Sequence, residues 1–545
     1  MARKNYGKNT SRSIEVYKLI TVFDIETSFQ IDTGKPDPSP KNPDNFIVSM
    51  GLNEKYFFLK HNEYKGVPPV KEIQDILNKT TLLVGHNIKF DLTWIYEAGF
   101  TYTGRIYDTM IGEYILGRGV KRSLKLKDCC LRRGVQEKSS ETDYYIKELI
   151  SFEKIPMKIV DKYGRQDIVA TRGLFNDQMS DFKIPKNKGL IKTVKMMCEF
   201  CSVLTRMENN GIYIDLDVLN AVQKEFEIEH IQLRREIDDI VYEKMGDTKI
   251  NPASPEQLSW LIYGSKVIDK KLWIEQFNIG IDKYTKRQKK RPKMTRLHFK
   301  KTLMEHLIPV YKTKAKQCDD CLGNGRIQQY KVNGEPYKNT SKCKKCKAEG
   351  VIYENTKDYA GFKAKAQFVS DVSDGGFKTD RFTLTRVAGN NIELKAFVEK
   401  ITRYNALETY LSTFVDGIRK HTKKDSFLYP NFMQCITATG RLSSRDPNFQ
   451  NQPRGKTFPI RKVITSRFEK GKIMEVDFAQ LEFRTAVFLA QDKQGMEDIK
   501  NGVDVHQYTA DIIGVSRQDA KGHTFKPLYG GMSGTEDEKR YYRAF

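Results

Sequence analysis

Three short spacings in the first third of the chain gather residues able to hold a metal or move a proton. Asp24 and Glu26 stand two apart at the end of an apolar, β-branched run over residues 16–23. On a strand, residues two apart point the same way, so both carboxylates face one site. Asn87 and Asp91 follow the apolar Leu82-Leu83-Val84 and are one helical turn apart. Tyr163 and Asp167 are also four apart, inside a segment of helical periodicity over residues 159–175, and share a face. Near the other end, Ile473, Met474 and Val476 predict a strand over residues 472–477, running into a helix from Leu481. That strand ends in Asp477, a usual place for a metal-binding acid. Arg517, Lys521, Phe525 and Tyr529 then step by four, one face of a helix. Such a face offers a guanidinium and an ammonium to a triphosphate and an aromatic ring to a base. In the middle, Cys318 and Cys321 form one CxxC pair and Cys343 and Cys346 a second. This spacing fits a four-thiolate zinc site, structural because four thiolates leave no open position.

The elements that must carry these residues belong to a large, basic chain. Its 545 residues have room for several domains, and 39% apolar with 30% charged content suits a soluble protein. A net charge of +24 is an electrostatic footprint for nucleic acid. No apolar run is long enough for a membrane, and no apolar stretch precedes Ile14, so neither a span nor a secretory signal is expected. Nine cysteines, an odd number partly in CxxC pairs, argue for reduced thiols or metal and for a cytoplasmic setting. Cys198 and Cys201 fall on an apolar helix and read as buried core thiols. Ser254 and Pro255 read as a helix N-cap and first helical residue. Gly455-Lys456-Thr457 lacks the upstream glycine of a phosphate loop, Gln450 standing there, so a P-loop is rejected.

Taken in order, these motifs resemble family A (DNA polymerase I-like) DNA polymerases of bacteriophage type. The segment over residues 437–453, TATGRLSSRDPNFQNQP, adds a further motif of that family just upstream. The N-terminal set (DxE, NxxxD, YxxxD) resembles the family's proofreading 3′→5′ exonuclease. The resemblance implies an RNase H-like domain over residues 1–190. In it Asp24, Glu26, Asp91 and Asp167 would ligate two Mg²⁺ or Mn²⁺, Tyr163 would orient the attacking water, and Asn87 would contact substrate. Asp108 reads as a helix cap that could also support the site. A partial right-hand polymerase is implied beyond: connecting helix and thumb start over 191–265, thumb end over 381–435, palm and fingers over 436–545. There Arg441, Gln450 and Asn451 would contact primer and template, Asp477 would coordinate Mg²⁺, and Gln480 would touch substrate. Glu482 would be the gate against a 2′-hydroxyl. His506, Arg517 and Lys521 would reach the triphosphate, Phe525 would stack on the incoming base, and Tyr529 would stand at the base pair. Pro527 is expected to kink its helix.

The resemblance is broken in two places. Residues 266–380 exceed a minimal thumb. They hold the basic run KYTKRQKKRPKMTRLHFKK over 283–301 and, at 318–346, a zinc knuckle in a polar segment with little core, whose glycines resemble the cysteine repeats of DnaJ-type co-chaperones. A phosphate-contacting role and the docking of a processivity factor are both open for this insertion. The family's later His-Asp-Glu motif is also missing, since none of the eight histidines is followed by Asp-Glu. This predicts a C-terminally incomplete polymerase, with a ladder helix poorly supported for want of chain to pack beneath it. The implied partners are primer-template DNA, single-stranded 3′ ends, dNTPs and a C-terminal polymerase fragment, with no membrane. The activities implied are templated synthesis with proofreading, exonuclease action alone, or a DNA-binding subunit of a split polymerase.

Overall fold

The computed structural model describes residues 19–32, 34–136, 140–283, 287–453 and 457–544. Residues 16–18 of the first predicted strand, 284–286 of the basic run, and Gly455 and Lys456 of the rejected phosphate loop lie outside the described residues. The chain divides into two compact units, residues 1–465 and 466–545.

The first unit opens on a mixed five-stranded sheet. Its strands are β1 (Ile20–Thr27), β2 (Ile47–Leu52), β3 (Lys55–Phe58), β4 (Leu82–Gly85) and β5 (Arg105–Asp108), in the order β3-β2-β1-β4-β5. β1 is antiparallel to β2 and parallel to β4. A central strand covered on both faces needs a nearly continuous apolar sequence, and Val22, Phe23 and Ile25 supply it. Helices α1 (Ile88–Glu97), α2 (Thr109–Leu116) and α3 (Met157–Asp181) accompany the sheet. α3 closes on it through two glycines. A Cβ on Gly51 would stand 2.8 Å from Ile168, and one on Gly164 would meet the Tyr56 hydroxyl. Helix α4 (Leu190–Asn210) follows and buries Cys198 and Cys201 in the same core. The segment after residue 430 is tied back onto this part. Lys89 Nζ donates to Glu208 Oε1 (2.5 Å), Asn431 Oδ1 (2.9 Å) and the Phe432 carbonyl (2.8 Å), and Gln434 donates to the Met197 carbonyl (2.9 Å).

A second core is helical, built on α5 (Leu216–Met245), α6 (Pro255–Tyr263) and α7 (Ile392–Thr409). Ser254 caps α6 by accepting from the Gln257 amide, with Pro255 in its first turn. Residues 266–310 and 360–380, on either side of the polar cysteine segment, contribute Trp273, Phe277, Phe299, Ala360, Val372 and Phe377 to this core. Trp273 is fully buried and donates its indole N–H to the Ser373 carbonyl at 2.7 Å. Arg291, inside the basic run, turns inward to the Phe277 and Val372 carbonyls. The middle of the insertion stands outside this core, as a ribbon of β6 (Tyr311–Gln317) and β7 (Val351–Tyr359). Its base is held by the Ala315 amide donating to Asp247 and by a hydroxyl pair between Thr248 and Thr313.

The second unit contains α8 (Leu481–Ala490), α9 (Val505–Ile513), α10 (Arg517–Leu528) and α11 (Glu536–Ala544). The strand expected over 472–477 is not formed. Ile473, Met474, Val476 and Phe478 are exposed and outside regular structure, because the described residues offer no neighbouring strand to take up its amides and carbonyls. The ladder helix, in turn, is better supported than its sequence context suggested. Ala520 and Thr524 are buried; Thr524 donates to Thr509, whose hydroxyl meets that of Tyr541 from α11. Pro527 sits in the last turn of α10, which ends one residue later. Among the described residues no helix is long and apolar enough to cross a membrane.

Candidate active site and metal centre

β1 presents Asp24 half-buried and Glu26 buried, as the two-residue period requires. From α3, 143 residues later in the chain, Asp167 comes to the same place: a ligand oxygen from each of Asp24, Glu26 and Asp167 lies within 4.8 Å of the others. Asp91, buried on α1, is not a member of that group, yet it feels Asp24. Burial first, then the charges of Asp24 and Asp108, push its carboxyl well above the usual range. Tyr163, one turn before Asp167, is 3% exposed. Burial, then Glu26, Asp167 and Asp24, hold its phenol protonated far above neutrality. Asn87 is exposed in left-handed backbone (φ 61°) at the N-cap of α1, so it and Asp91 do not share a helix interior.

Two supporting residues exceed what spacing alone reveals. Tyr56 on β3 shares a hydrogen bond with Ser49 at 2.8 Å and lies close enough to Glu26 and Asp24 for burial and their charges to raise its phenol. Asp108 caps two helices at once. It accepts from the Met110 amide (2.8 Å) at the start of α2, and from the Asn87 (3.0 Å) and Ile88 (3.1 Å) amides at the start of α1. It thereby fixes the turn that aims both Asn87 and Asp91. Its 1% exposure pushes its carboxyl up to about 6 despite those amides.

The four insertion cysteines also converge. Cys318, Cys321, Cys343 and Cys346 are buried with all four sulfurs within 4.8 Å. The two halves are arranged alike. Cys321 Sγ accepts from the Gly325 amide and Cys346 Sγ from the Gly350 amide, each at 3.3 Å. The Cys318 and Cys343 amides donate to the opposite glycine carbonyls, Gly350 and Gly325, each at 2.9 Å. Both glycines have positive φ, 68° and 78°, which the tight thiol turn requires. Four thiols, backbone donors onto two of the sulfurs, and crossed strands over them fit a tetrahedral zinc.

In the second unit the ladder residues occupy α10 and its cap. Arg517 pairs with Asp504 at 2.7 Å, and Asp504 also caps α9. Phe525 is half-buried, and the Tyr529 hydroxyl donates to Glu482 at 3.2 Å. His506 is buried, bonded to Thr524 (3.2 Å) and packed on the Phe525 ring (5.3 Å between centroids), which places it beneath the ladder rather than on its open face. Gln480 caps α8 in left-handed backbone. Asp477 is exposed and joins no group of three or more ligating side chains among the described residues. In the first unit Arg441, Gln450 and Asn451 are exposed on the loop around the hairpin of Asn431–Met433 and Ser443–Arg445.

Residues 17–179 match the family model for 3′-5′ exonuclease, and residues 355–536 match the model for DNA polymerase family A. The DNA polymerase I of Synechocystis sp. is 23% identical over 564 residues, covering 98% of this chain. This chain carries a 3′-5′ exonuclease segment followed by a DNA polymerase family A segment, and is homologous to DNA polymerase I proteins. It spans about half of that curated relative, 46% of its length. The DNA polymerase I of Aquifex aeolicus is 22% identical over 511 residues, 89% of this chain and 66% of its own. That of Bacillus subtilis is 30% identical over 169 residues, 28% of this chain and 18% of its own. Among solved structures, the polymerase domain of Pol1 from M. smegmatis, in complex with DNA primer-template and dNTP, shares the fold. Its TM-score is 0.58 at 16% identity, over 94% of this chain and 68% of that one. The exonuclease match contains the whole carboxylate cluster. The family A match begins inside β7, so the cysteine module lies between the two matched segments.

Proposed function

We propose that this family A homologue removes nucleotides from the 3′ ends of DNA at the Asp24–Glu26–Asp167 site and that its later segment serves templated nucleotide addition. The observation that carries the exonuclease reading is the convergence of those three carboxylates from β1 and α3. Like charges so close repel unless cations stand among them, and hard oxygen donors suit Mg²⁺ or Mn²⁺. Asp24, Glu26 and Asp167, with Asp91 beside Asp24, would hold two such ions. Bound there, they supply activation of a water molecule and neutralisation of charge on the scissile phosphate. The chain's own groups do the rest. Tyr163, kept protonated, donates its hydroxyl hydrogen to the attacking water and fixes its direction. Asn87, exposed at the mouth of α1, contacts the terminal nucleotide. Asp108 keeps the α1 turn in place under both.

In the second unit Arg517 and Lys521 bind the triphosphate, Phe525 stacks on the incoming base, and Glu482, tied to Tyr529, closes the pocket against a 2′-hydroxyl. Asp477 would supply a metal ligand, with Gln480 near it in sequence; Arg441, Gln450 and Asn451 would meet primer and template. His506 acts by supporting Phe525. Cys318, Cys321, Cys343 and Cys346 would hold one zinc at the ribbon's end. A second reading, in which only the exonuclease works in this chain, is favoured by Asp477 standing in exposed coil, outside any group of three or more ligating side chains among the described residues. The test is a 5′-labelled single-stranded oligonucleotide with Mg²⁺, then a primer-template with dNTPs. The first reading expects stepwise shortening from the 3′ end, lost in D24A/E26A, and extension in the second assay. Extension absent with shortening intact selects the second reading. Shortening undiminished in D24A/E26A rejects both.

A further inference from the structure

The loop between the two thiol pairs has a composition that the catalytic sites do not use. Residues 328–340 fold back as a small hairpin: the Tyr337 amide donates to the Gln329 carbonyl at 2.8 Å, and Tyr330 bridges to Pro336. Its root is fixed to the cysteine module by Arg326, which bonds to Thr340 Oγ1 and the Thr340 carbonyl, and by the short pair of Arg326–Ile327 with Ser341–Lys342. The hairpin turns large aromatic rings to solvent, with Tyr330 63% and Tyr337 52% exposed. A hydrophobic ring left in water beside cations calls for a partner with a flat face and negative charge. Beside Tyr337 lies a surface groove of about 520 Å³, lined also by Gln329, Lys331, Lys338, Asn339 and Ser341. Its only acidic neighbour within the hairpin is Glu335, which pairs with Lys331 at 3.0 Å. That pair is exposed on both sides, so it is weak and opens readily to a phosphate. The groove therefore joins a stacking platform, two ammoniums and amide side chains able to bond base edges, the combination that suits single-stranded nucleic acid.

We propose that this hairpin, held by the cysteine module, is a binding site for single-stranded DNA, with bases stacked on Tyr330 and Tyr337 and phosphates met by Lys331 and Lys338. The site shares no residue with the carboxylate cluster or with the α10 ladder, and its occupancy requires neither to be active.

The test uses the full chain carrying D24A/E26A, so that the probe survives, and fluorescence anisotropy with labelled oligo-dT and with a blunt duplex. Y330A/Y337A should weaken oligo-dT binding by roughly fivefold or more, since each stacked base contributes on that order or above, and leave duplex binding unchanged. Y330F/Y337F, which keeps both rings, should bind as the parent does. K331A/K338A should lower the slope of log affinity against log salt for oligo-dT. Zinc content measured in every variant guards against loss of the module. Unchanged oligo-dT affinity in Y330A/Y337A with zinc retained would overturn the proposal and point to a protein partner. An equal loss for oligo-dT and duplex would overturn it as well, because that is the signature of backbone contact without stacking.

Discussion

Asp108 is where fold and site are joined most tightly, and its replacement tests that junction. Its two oxygens accept three backbone amides, from Asn87, Ile88 and Met110. Asp108→Ala leaves all three buried or half-buried donors without this acceptor. Each such loss costs about 1–3 kcal/mol, so the variant should be destabilised by at least about 3 kcal/mol. Asp108→Asn keeps Oδ1 for Asn87 and Met110 but turns an amide toward the Ile88 N–H, a loss of about 1–3 kcal/mol. Against this stands the burial of the charge. The folded carboxyl titrates near 6 instead of 3.8, a displacement corresponding to about 3 kcal/mol. Because the folded value is raised, the stabilisation is fully present below pH 3.8 and is lost as pH rises through about 6. Asparagine cannot titrate. The stability advantage of the parent over D108N should therefore shrink by about 2 kcal/mol between pH 4 and pH 7. Urea unfolding, followed by Trp94 fluorescence in a W260F/W273F background without added divalent cation, reads this directly, since Trp94 is buried on α1 itself. A D108A loss below about 1 kcal/mol at pH 4, where the folded carboxyl is protonated and no buried charge offsets the bonds, would refute the double cap. A parent–D108N difference that is flat with pH would refute the raised carboxyl.

Other expectations follow from the same geometry. Trp273→Ala should cost about 3–5 kcal/mol and loosen the helical core, because the ring is fully buried and bonded to Ser373; urea unfolding in a chain that keeps Trp260 checks it. Protein purified without chelator should hold one zinc per chain, and Cys343→Ser should release it without slowing the exonuclease, as metal analysis and a digestion assay on one preparation would show. Replacing the exposed lysines and arginines of residues 287–301, while keeping the inward Arg291, should flatten the salt dependence of duplex binding.

What the sequence made legible was whatever depends on one element's period. Two-residue spacing put Asp24 with Glu26, and four-residue spacing put Tyr163 with Asp167; the structure adds that β1 and α3 meet, which Gly51 and Gly164 allow and no local pattern announces. The double cap by Asp108 was half visible. Its role at α2 follows from position, whereas its reach to Asn87 and Ile88 depends on β5 lying beside β4. The expected strand over 472–477 had the right alternation, but alternation reports an available face and not a neighbour to pair with. The core contribution of the insertion was not legible, because Trp273, Phe277, Phe299 and Phe377 are spread among lysines and arginines with no local period, and long-range packing gathers them. The support under α10 came from Tyr541 and Tyr542, which the end of the sequence shows only as two aromatics in a charged run.

The proposed exonuclease site joins Asp24 and Asp167, 143 residues apart in the chain. The measurement that tests this most directly is the single-turnover rate of 3′-end removal from single-stranded DNA by the parent, D24N, D167N and D24N/D167N. Groups that act as a unit lose their effects together, so the double variant should be no slower than the slower single one. Losses that multiply, or a D167N rate equal to that of the parent, would contradict a shared site.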